Sequence, residues 1–269
     1  MSYTEFYNLK EQPFTNSPDN KFYFDSNQHR EAIVRINHVI DNMLGLAVLV
    51  GEIGAGKTTI ARKLLDSLDV EKYSAGMLVI IHSDVSSEWI LKKISAQMGV
   101  KKLDVPKDQI MKQLMEKLTE IHQEGKKAVI IVDESNMLRS REVMEEFRGL
   151  LNLETPQGKL LTFILIGLPE LDEWLYQDKP LRQRMALRFT LHALNPSATK
   201  SYIQHRLSVA GREKELFTED TFRMIYDYSK GIPRLINIIC DNALLEGFLT
   251  KQEIIEPKVI EDVAIGLGL

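Results

Sequence analysis

The sequence predicts an α/β fold, a parallel five-stranded sheet flanked by helices, followed by a small all-helical domain. Three observations carry this. Five short runs, at 46–50, 77–82, 128–132, 161–166 and 188–192, are mostly continuous apolar stretches rather than alternating ones, the pattern of strands buried on both faces of a parallel sheet. Amphipathic helical segments lie between them, which points to helices on both faces. After Asn195-Pro196 no further strand is evident and only helical patterns follow.

Each element has its own signature. Over 29–44, Ile33, Ile36, Val39, Ile40 and Met43 recur at helical spacing, and the run 46–50 that follows is wholly apolar. Ile60, Leu64 and Leu68 give a helix from 59 to 68 one apolar face, and Ile110, Leu114, Leu118 and Ile121 do the same over 107–122. In the last third, a helix at 197–210 is ended by Gly211. A second at 219–229 is N-capped by Thr218, and a third at 233–248 carries Pro233 in its first turn; a short last helix starts near Pro257. These signals divide the chain into an N-terminal arm with an α/β domain over 1–194 and a helical domain over 195–269.

At 269 residues the chain can bury a core without disulfide or metal staples. Its 44% apolar and 27% charged residues exclude a disordered chain, a collagen and a disulfide scaffold. With 34 Lys and Arg against 38 Asp and Glu the formal charge is -4, which argues against a wholesale basic nucleic-acid coat and leaves a local basic patch open. Cys240 is the single cysteine and the histidines are scattered, so neither an intrachain disulfide nor a metal-ligand spacing arises. No apolar run approaches the roughly 20 residues of a membrane span, and the N-terminus has no secretory signal. A cytoplasmic location is the expectation.

The most specific motif is Gly51-Glu52-Ile53-Gly54-Ala55-Gly56-Lys57-Thr58, followed by Thr59. It matches G-x-x-x-x-G-K-[ST] and sits between a strand and a helix, the setting a P-loop needs. Gly51, Gly54 and Gly56 permit tight turns whose N–H groups can point at phosphate oxygens, and the helix N-terminus adds positive dipole. Lys57 can bridge β- and γ-phosphates, and the Thr58 hydroxyl can ligate Mg²⁺. Glu52 and Ile53 are loop positions in the nucleotide-binding stretch with no chemical role of their own. A second element, 128–132, ends in Asp133-Glu134. Acids at the carboxyl end of a strand stand where open α/β sheets bind ligands. Asp133 suits the Mg²⁺ shell, and Glu134 suits a base that orients water. The competing reading is that the pair caps the next helix. Paired acids, with no Asn-Lys-x-Asp motif, point to ATP rather than GTP.

Gly231-Ile232-Pro233-Arg234 opens the third helix of the small domain, and here the sequence resembles the AAA+ ATPases. The resemblance implies that Arg234 is a sensor-2 arginine reaching the γ-phosphate from a helical lid. It also implies a trans-acting arginine finger near 181–189. Arg184 is favoured, then Arg188 and Arg182, with local pairing to acids as the competing reading. A narrower resemblance, to ExeA-type ATPases (general secretion pathway protein A), rests on Phe6-Tyr7, Leu9, Pro13-Phe14, Pro18-Asp19, Phe22-Tyr23, His29-x-Glu31-Ala32-Ile33, the P-loop, Asp133-Glu134, Gly167-x-Pro169-Glu170-Leu171, Gln183-Arg184 and Asn242-Ala243-Leu244-Leu245. It covers about residues 3–250. It implies that Pro13 and Phe14 border the adenine; alternatively, Phe6, Tyr7, Phe14, Phe22 and Tyr23 staple the arm on the sheet, and both readings stay open. The family's Gln after Gly167 is Leu168 here, so the polar sensor-1 group that positions the lytic water is shifted, lost or supplied otherwise, and slow turnover follows. Ser83 and Asp84 stand where such enzymes place a polar switch for the base, against a plain helix cap at Ser86 and Ser87. The chain stops at Leu269 without the membrane span and cell-wall part of longer family members, so an envelope connection is expected to come through a partner.

The function expected is Mg²⁺-dependent ATP hydrolysis by an ATP-dependent homo-oligomer, a hexamer among the numbers open to it, acting on a secretion or envelope protein. A DNA-associated, transposition-regulator-like ATPase and a non-catalytic ATP switch are the alternatives. Lys92-Lys93, Lys101-Lys102 and Lys126-Lys127 read as solvated faces more than as a nucleic-acid track.

Overall fold

The structure, a computed structural model, describes residues 2–17 and 19–269; Pro18, of the Pro18-Asp19 pair, lies outside the described residues. Its strands are β1 (Leu46–Gly51), β2 (Tyr73–Val79), β3 (Lys127–Asp133), the two-residue β4 (Glu154–Thr155) and β5 (Gly158–Lys159), β6 (Leu161–Gly167) and β7 (Met185–Leu191). Its helices are α1 (Tyr3–Phe6), α2 (Asn27–Asp41), α3 (Lys57–Ser67), α4 (Ser87–Gln97), α5 (Lys107–Gln123), α6 (Arg141–Leu150), α7 (Glu170–Gln177), α8 (Lys179–Arg182), α9 (Pro196–Val209), α10 (Glu219–Ser229), α11 (Pro233–Leu249) and α12 (Pro257–Leu267). The chain folds as two compact units. One holds Asn27–Glu52 and Ile60–Leu191; the other holds Ile53–Thr59, His192–Leu269 and the arm up to Ser26.

The first unit is the α/β layer. Among the described residues its main sheet has five parallel strands in the order β2-β3-β6-β1-β7. β1 and β6 are buried along their whole length, and all but the first residue of β3 is buried, which explains their unbroken apolar sequence. The edge strands depart from the sequence expectation. β2 begins at Tyr73 and ends at Val79, because Ile81 of the apolar run 77–82 has left the ladder and is exposed. β7 starts at Met185 and stops at Leu191, against the expected 188–192. Edge strands bury one side less completely, so apolarity locates them poorly. Helices α6 and α7 and the β4–β5 hairpin were not anticipated, whereas α4 starts at the helix cap considered for Ser86 and Ser87. The buried side chains Val143, Met144, Phe147 and Leu150 give α6 an apolar face that the sequence does contain.

The second unit is helical, and an isolated bridge between Phe217 and Ile255 is its β-type pairing. The expected caps are present: the Asn195 side chain accepts from the Ala198 N–H at 2.8 Å and Thr218 from the Thr221 N–H at 3.3 Å, with Pro196, Pro233 and Pro257 in first turns. The arm requires a correction. Its aromatics do not staple onto the sheet: Tyr7, Phe14 and Phe22 are buried in the helical unit's core with Tyr202, Phe217 and Ile236. Large aromatic area gains most where it fills a core, and the Phe14 and Phe217 rings meet edge-on at 6.4 Å. The arm that the sequence joined to the α/β domain over 1–194 therefore belongs with the helices of 195–269.

Among the described residues no helix is long and apolar enough to cross a membrane.

Candidate functional site

In the α/β unit, parallel pairing brings the carboxyl ends of β1, β3 and β6 to one edge of the sheet: Val50 is in register with Gly167, and Val132 with Leu165. Gly51 ends β1, and a Cβ there would lie 2.7 Å from the Leu191 carbonyl oxygen, so only glycine lets the chain leave the strand at this point. Asp133 ends β3 and is 1% exposed. Its Oδ1 accepts the Glu134 N–H at 2.9 Å. Glu134 adopts a left-handed conformation, φ 55°, before a 3₁₀ turn at Ser135–Met137, and its side chain makes no cap hydrogen bond. The Glu134 side chain thus does not cap the turn that follows. Non-glycine residues held in the left-handed region carry strain of about 1–3 kcal/mol, and such strain concentrates at functional sites.

The 3₁₀ turn delivers a residue that the sequence reading passed over. Asn136 is 4% exposed, and its Oδ1 accepts the Leu168 N–H at 3.0 Å. A Cβ on Gly167 would stand 2.9 Å from both the Asn136 N and its Oδ1, so glycine at 167 is what admits the asparagine. Nothing in one sequence marks an asparagine three residues beyond the aspartate; only the adjacency of β3 and β6 does. Ser83 and Asp84 are exposed beyond β2. The helix cap considered for this region is made by Ser86, which accepts the Trp89 N–H at 3.1 Å.

In the helical unit, Ile53–Thr59 carries the rest of the P-loop. Gly54 and Gly56 have φ of +80° and +101°, the left-handed region that glycine supplies without strain. Ala55 is buried, Ile53 exposed, and Lys57 is 6% exposed where it opens α3, with Thr58 and Thr59 in the first helical turn. The loop lies against the turn that opens α11: the Arg234 N–H donates to the Gly54 carbonyl at 3.3 Å, and a Cβ on Gly54 would fall 2.7 Å from the Arg234 Cβ. The P-loop and the sensor-2 candidate, about 180 positions apart, are thereby joined. Gly231, with φ +75°, sets this turn: its carbonyl accepts the Leu194 N–H at 2.9 Å, and a Cβ would lie 1.8 Å from the Leu194 oxygen.

Other predicted residues have local partners. Arg184 donates to Asn152 Oδ1 from Nε (3.1 Å) and Nη2 (2.9 Å), and to the Pro180 carbonyl at 2.8 Å. Arg188 forms a two-pronged ion pair with Asp172, whose hydrogen bonds raise the guanidinium pKa further. Arg182 stacks its guanidinium 4.5 Å from the Tyr176 ring centroid. Pro13 and Phe14 are both buried in the helical unit. Arg206, another residue not anticipated, is 6% exposed and grips the arm, donating to the Pro13 carbonyl, the Thr15 carbonyl (3.1 Å) and the Tyr202 hydroxyl (2.8 Å).

Mg²⁺ takes hard oxygen donors, usually one or two from protein with the rest from phosphates and water. The Thr58 hydroxyl and the Asp133 carboxylate are donors of that kind. Among the described residues no cluster of three or more His, Cys, Asp or Glu forms an all-protein cage, which this mode of binding does not need.

Comparison with known proteins adds to this geometry. Residues 43–175 match the family model described as an AAA domain. The chain is 37% identical over 257 residues to general secretion pathway protein A of Aeromonas hydrophila, covering 91% of this chain and 45% of that protein. It spans about half the length of the curated relatives it matches. The fold is that of the Aeropyrum pernix ORC2 protein (TM-score 0.70, 16% identity, 95% of this chain and 71% of that one). It is also that of a chain of the Drosophila ORC bound to DNA (TM-score 0.69, 16% identity, 97% and 65%).

Proposed function

Because the chain carries an AAA domain in the AAA+ P-loop fold and is similar over most of its length to general secretion pathway protein A, we propose that it binds ATP with Mg²⁺ and hydrolyses it to ADP and phosphate. The observation that supports this reading is the backbone hydrogen bond from the Arg234 N–H to the Gly54 carbonyl, which brings that residue's backbone beside the phosphate loop. In the proposed reaction the P-loop N–H groups and Lys57 hold the β- and γ-phosphates, and Arg234 meets the γ-phosphate. Glu134 orients water and accepts its proton as the water oxygen bonds to the γ-phosphorus. The bond from that phosphorus to the β–γ bridging oxygen breaks, and ADP leaves with the electron pair. Mg²⁺, when bound, would be held by Thr58 and Asp133 and would neutralise charge on the phosphates. Pro13 and Phe14, which share a compact unit with Ile53–Thr59 of the P-loop, are proposed to flank the base.

The enzyme is proposed to work as an ATP-dependent homo-oligomer on a secretion- or envelope-associated protein, the chemistry of its curated relative's name. Arg184 is the preferred finger and Arg188 the second; either would exchange its local partners for a neighbour's γ-phosphate. Steady-state hydrolysis decides the central claim. Wild type should turn over at least about 10²-fold faster than Glu134→Gln, and equal rates would overturn it. Light scattering with and without ATP tests assembly, an unchanged monomer removing the finger. Retention on DNA that rises with ATP and falls with salt would move the client from protein to nucleic acid.

A further inference from the structure

The helix that meets the phosphate loop also holds the arm. α11 begins without a side-chain cap, and Pro233 in its first turn has no N–H to satisfy. The Arg234 N–H is met by the Gly54 carbonyl at 3.3 Å, so the loop backbone caps the helix. Asn237 stands three residues further, on the same face and about 4.5 Å along the axis. It is 4% exposed, and its Nδ2 donates to Asn16 Oδ1 at 3.2 Å and to the Thr15 carbonyl at 3.4 Å. One helical turn therefore touches the phosphate loop at one end and the arm at the other. All of these residues belong to the same compact unit.

The Asn237 carboxamide is oriented from behind. Arg206 Nη1 donates to the Tyr202 hydroxyl at 2.8 Å, and a guanidinium accepts nothing in return. The hydroxyl therefore spends its own proton on Asn237 Oδ1, 2.9 Å away, which leaves Nδ2 to face the arm. Arg206 also grips the Pro13 and Thr15 carbonyls, and its guanidinium lies 4.9 Å from the Phe22 ring centroid. Tyr202, Arg206 and Asn237 are all buried, where such a chain of bonds is strongest. It ends on half-buried Thr15 and exposed Asn16, a segment with little apolar burial to hold it in place. We propose that Asn237 is a positioning residue that couples phosphate binding on the loop to docking of the arm. A ligand that orders Gly54 and its neighbours steadies the first turn of α11, and through Asn237 it steadies the arm. Two ordering steps that share one turn each cost less once the other is made. This rests on the nucleotide-binding reading above, and it requires only the phosphate end of the ligand.

The test is tryptic cleavage of the full chain after Lys10 and Lys21, which bracket the residues Asn237 holds, read by mass spectrometry. It is run with Mg²⁺ and either a non-hydrolysable ATP analogue or inorganic tripolyphosphate, which has no base to touch the arm. Either ligand should slow both cleavages at least about fivefold in the wild type. In Asn237→Leu and Tyr202→Phe neither ligand should slow them by more than about twofold. Because coupling is reciprocal, tripolyphosphate should also bind these variants at least about fivefold more weakly. Val259→Ala, a core truncation in α12 that removes none of these hydrogen bonds, should lower the melting temperature and keep the protection. Protection by the ATP analogue that tripolyphosphate does not reproduce overturns the proposal, since the signal would then enter through the base. So does full protection in either latch variant, or a loss of protection in Val259→Ala equal to theirs. A wild type that binds both ligands without protecting the arm overturns this coupling alone. A wild type that binds neither overturns the nucleotide-binding reading together with it.

Discussion

Replacing Gly231 by alanine should unseat Arg234 from the phosphate loop. The added Cβ would lie 1.8 Å from the Leu194 carbonyl oxygen, 2.8 Å from its carbon and 3.1 Å from its nitrogen, all backbone atoms that no rotamer change can move. Restoring a contact of about 3.4 Å requires the two segments to part by about 1.6 Å. That separation breaks the Leu194 N–H hydrogen bond to the Gly231 carbonyl, now 2.9 Å. Losing a buried bond costs about 1–3 kcal/mol, and holding alanine at φ +75° adds about 1–2 kcal/mol. A total near 3 kcal/mol lowers the melting midpoint by about 6–12 °C for a chain of this size. Ile232 and Arg234 follow directly, so the 3.3 Å contact from Arg234 to Gly54 is lost with the turn and ATP affinity falls. Thermal melting and titration with a fluorescent ATP analogue measure both effects. Gly149→Ala is the control: it lies in α6 with nothing within 4 Å of its added Cβ, and it should stabilise by about 0.5–1 kcal/mol. A Gly231→Ala protein melting within about 1 °C of wild type, with unaltered ATP affinity, would refute the steric reasoning.

Arg206→Leu should cost about 3 kcal/mol by stranding the Pro13 and Thr15 carbonyls and the Tyr202 hydroxyl, and it should expose the arm to limited proteolysis ahead of the rest of the chain. Burial pushes the Tyr7 hydroxyl up to about 12, against a smaller downward pull from Arg212, and burial likewise raises Tyr202. A folded-state pKa above the unfolded value means that stability is fully present below about pH 10 and is lost as pH climbs from there toward 12, which alkaline melting curves will read. Cys240 is fully buried, and desolvation holds its thiol well above the usual range, so a thiol reagent should label it only as fast as the helical unit opens.

Much of the site is legible in the chain because it is local. A P-loop needs glycines at fixed offsets between a strand and a helix, and Gly51 to Thr58 states this within eight positions. Asp133-Glu134 is legible for the same reason, as the end of a run of five apolar residues. Asn136 and Arg206 are not, since each acts on residues from other elements: Leu168 lies 32 positions from Asn136, and Pro13 lies 193 from Arg206. The edge strands β2 and β7 were misplaced by three or four residues at their starts because one-sided exposure breaks the apolar run that marks a central strand.

By itself, the sequence determined what depends on chain neighbours: the strand and helix periods, the proline and threonine starts of the last helices, the phosphate loop and the acidic pair. Tertiary structure decided the insertion of β6 between β1 and β3, the burial of the arm's aromatics among helices rather than on the sheet, and the local partners of Arg184 and Arg188. The physical reason is that backbone dihedrals and hydrophobic period are set over a few residues. Strand order and side-chain partners follow instead from which distant surfaces bury the most area and satisfy the most polar groups together.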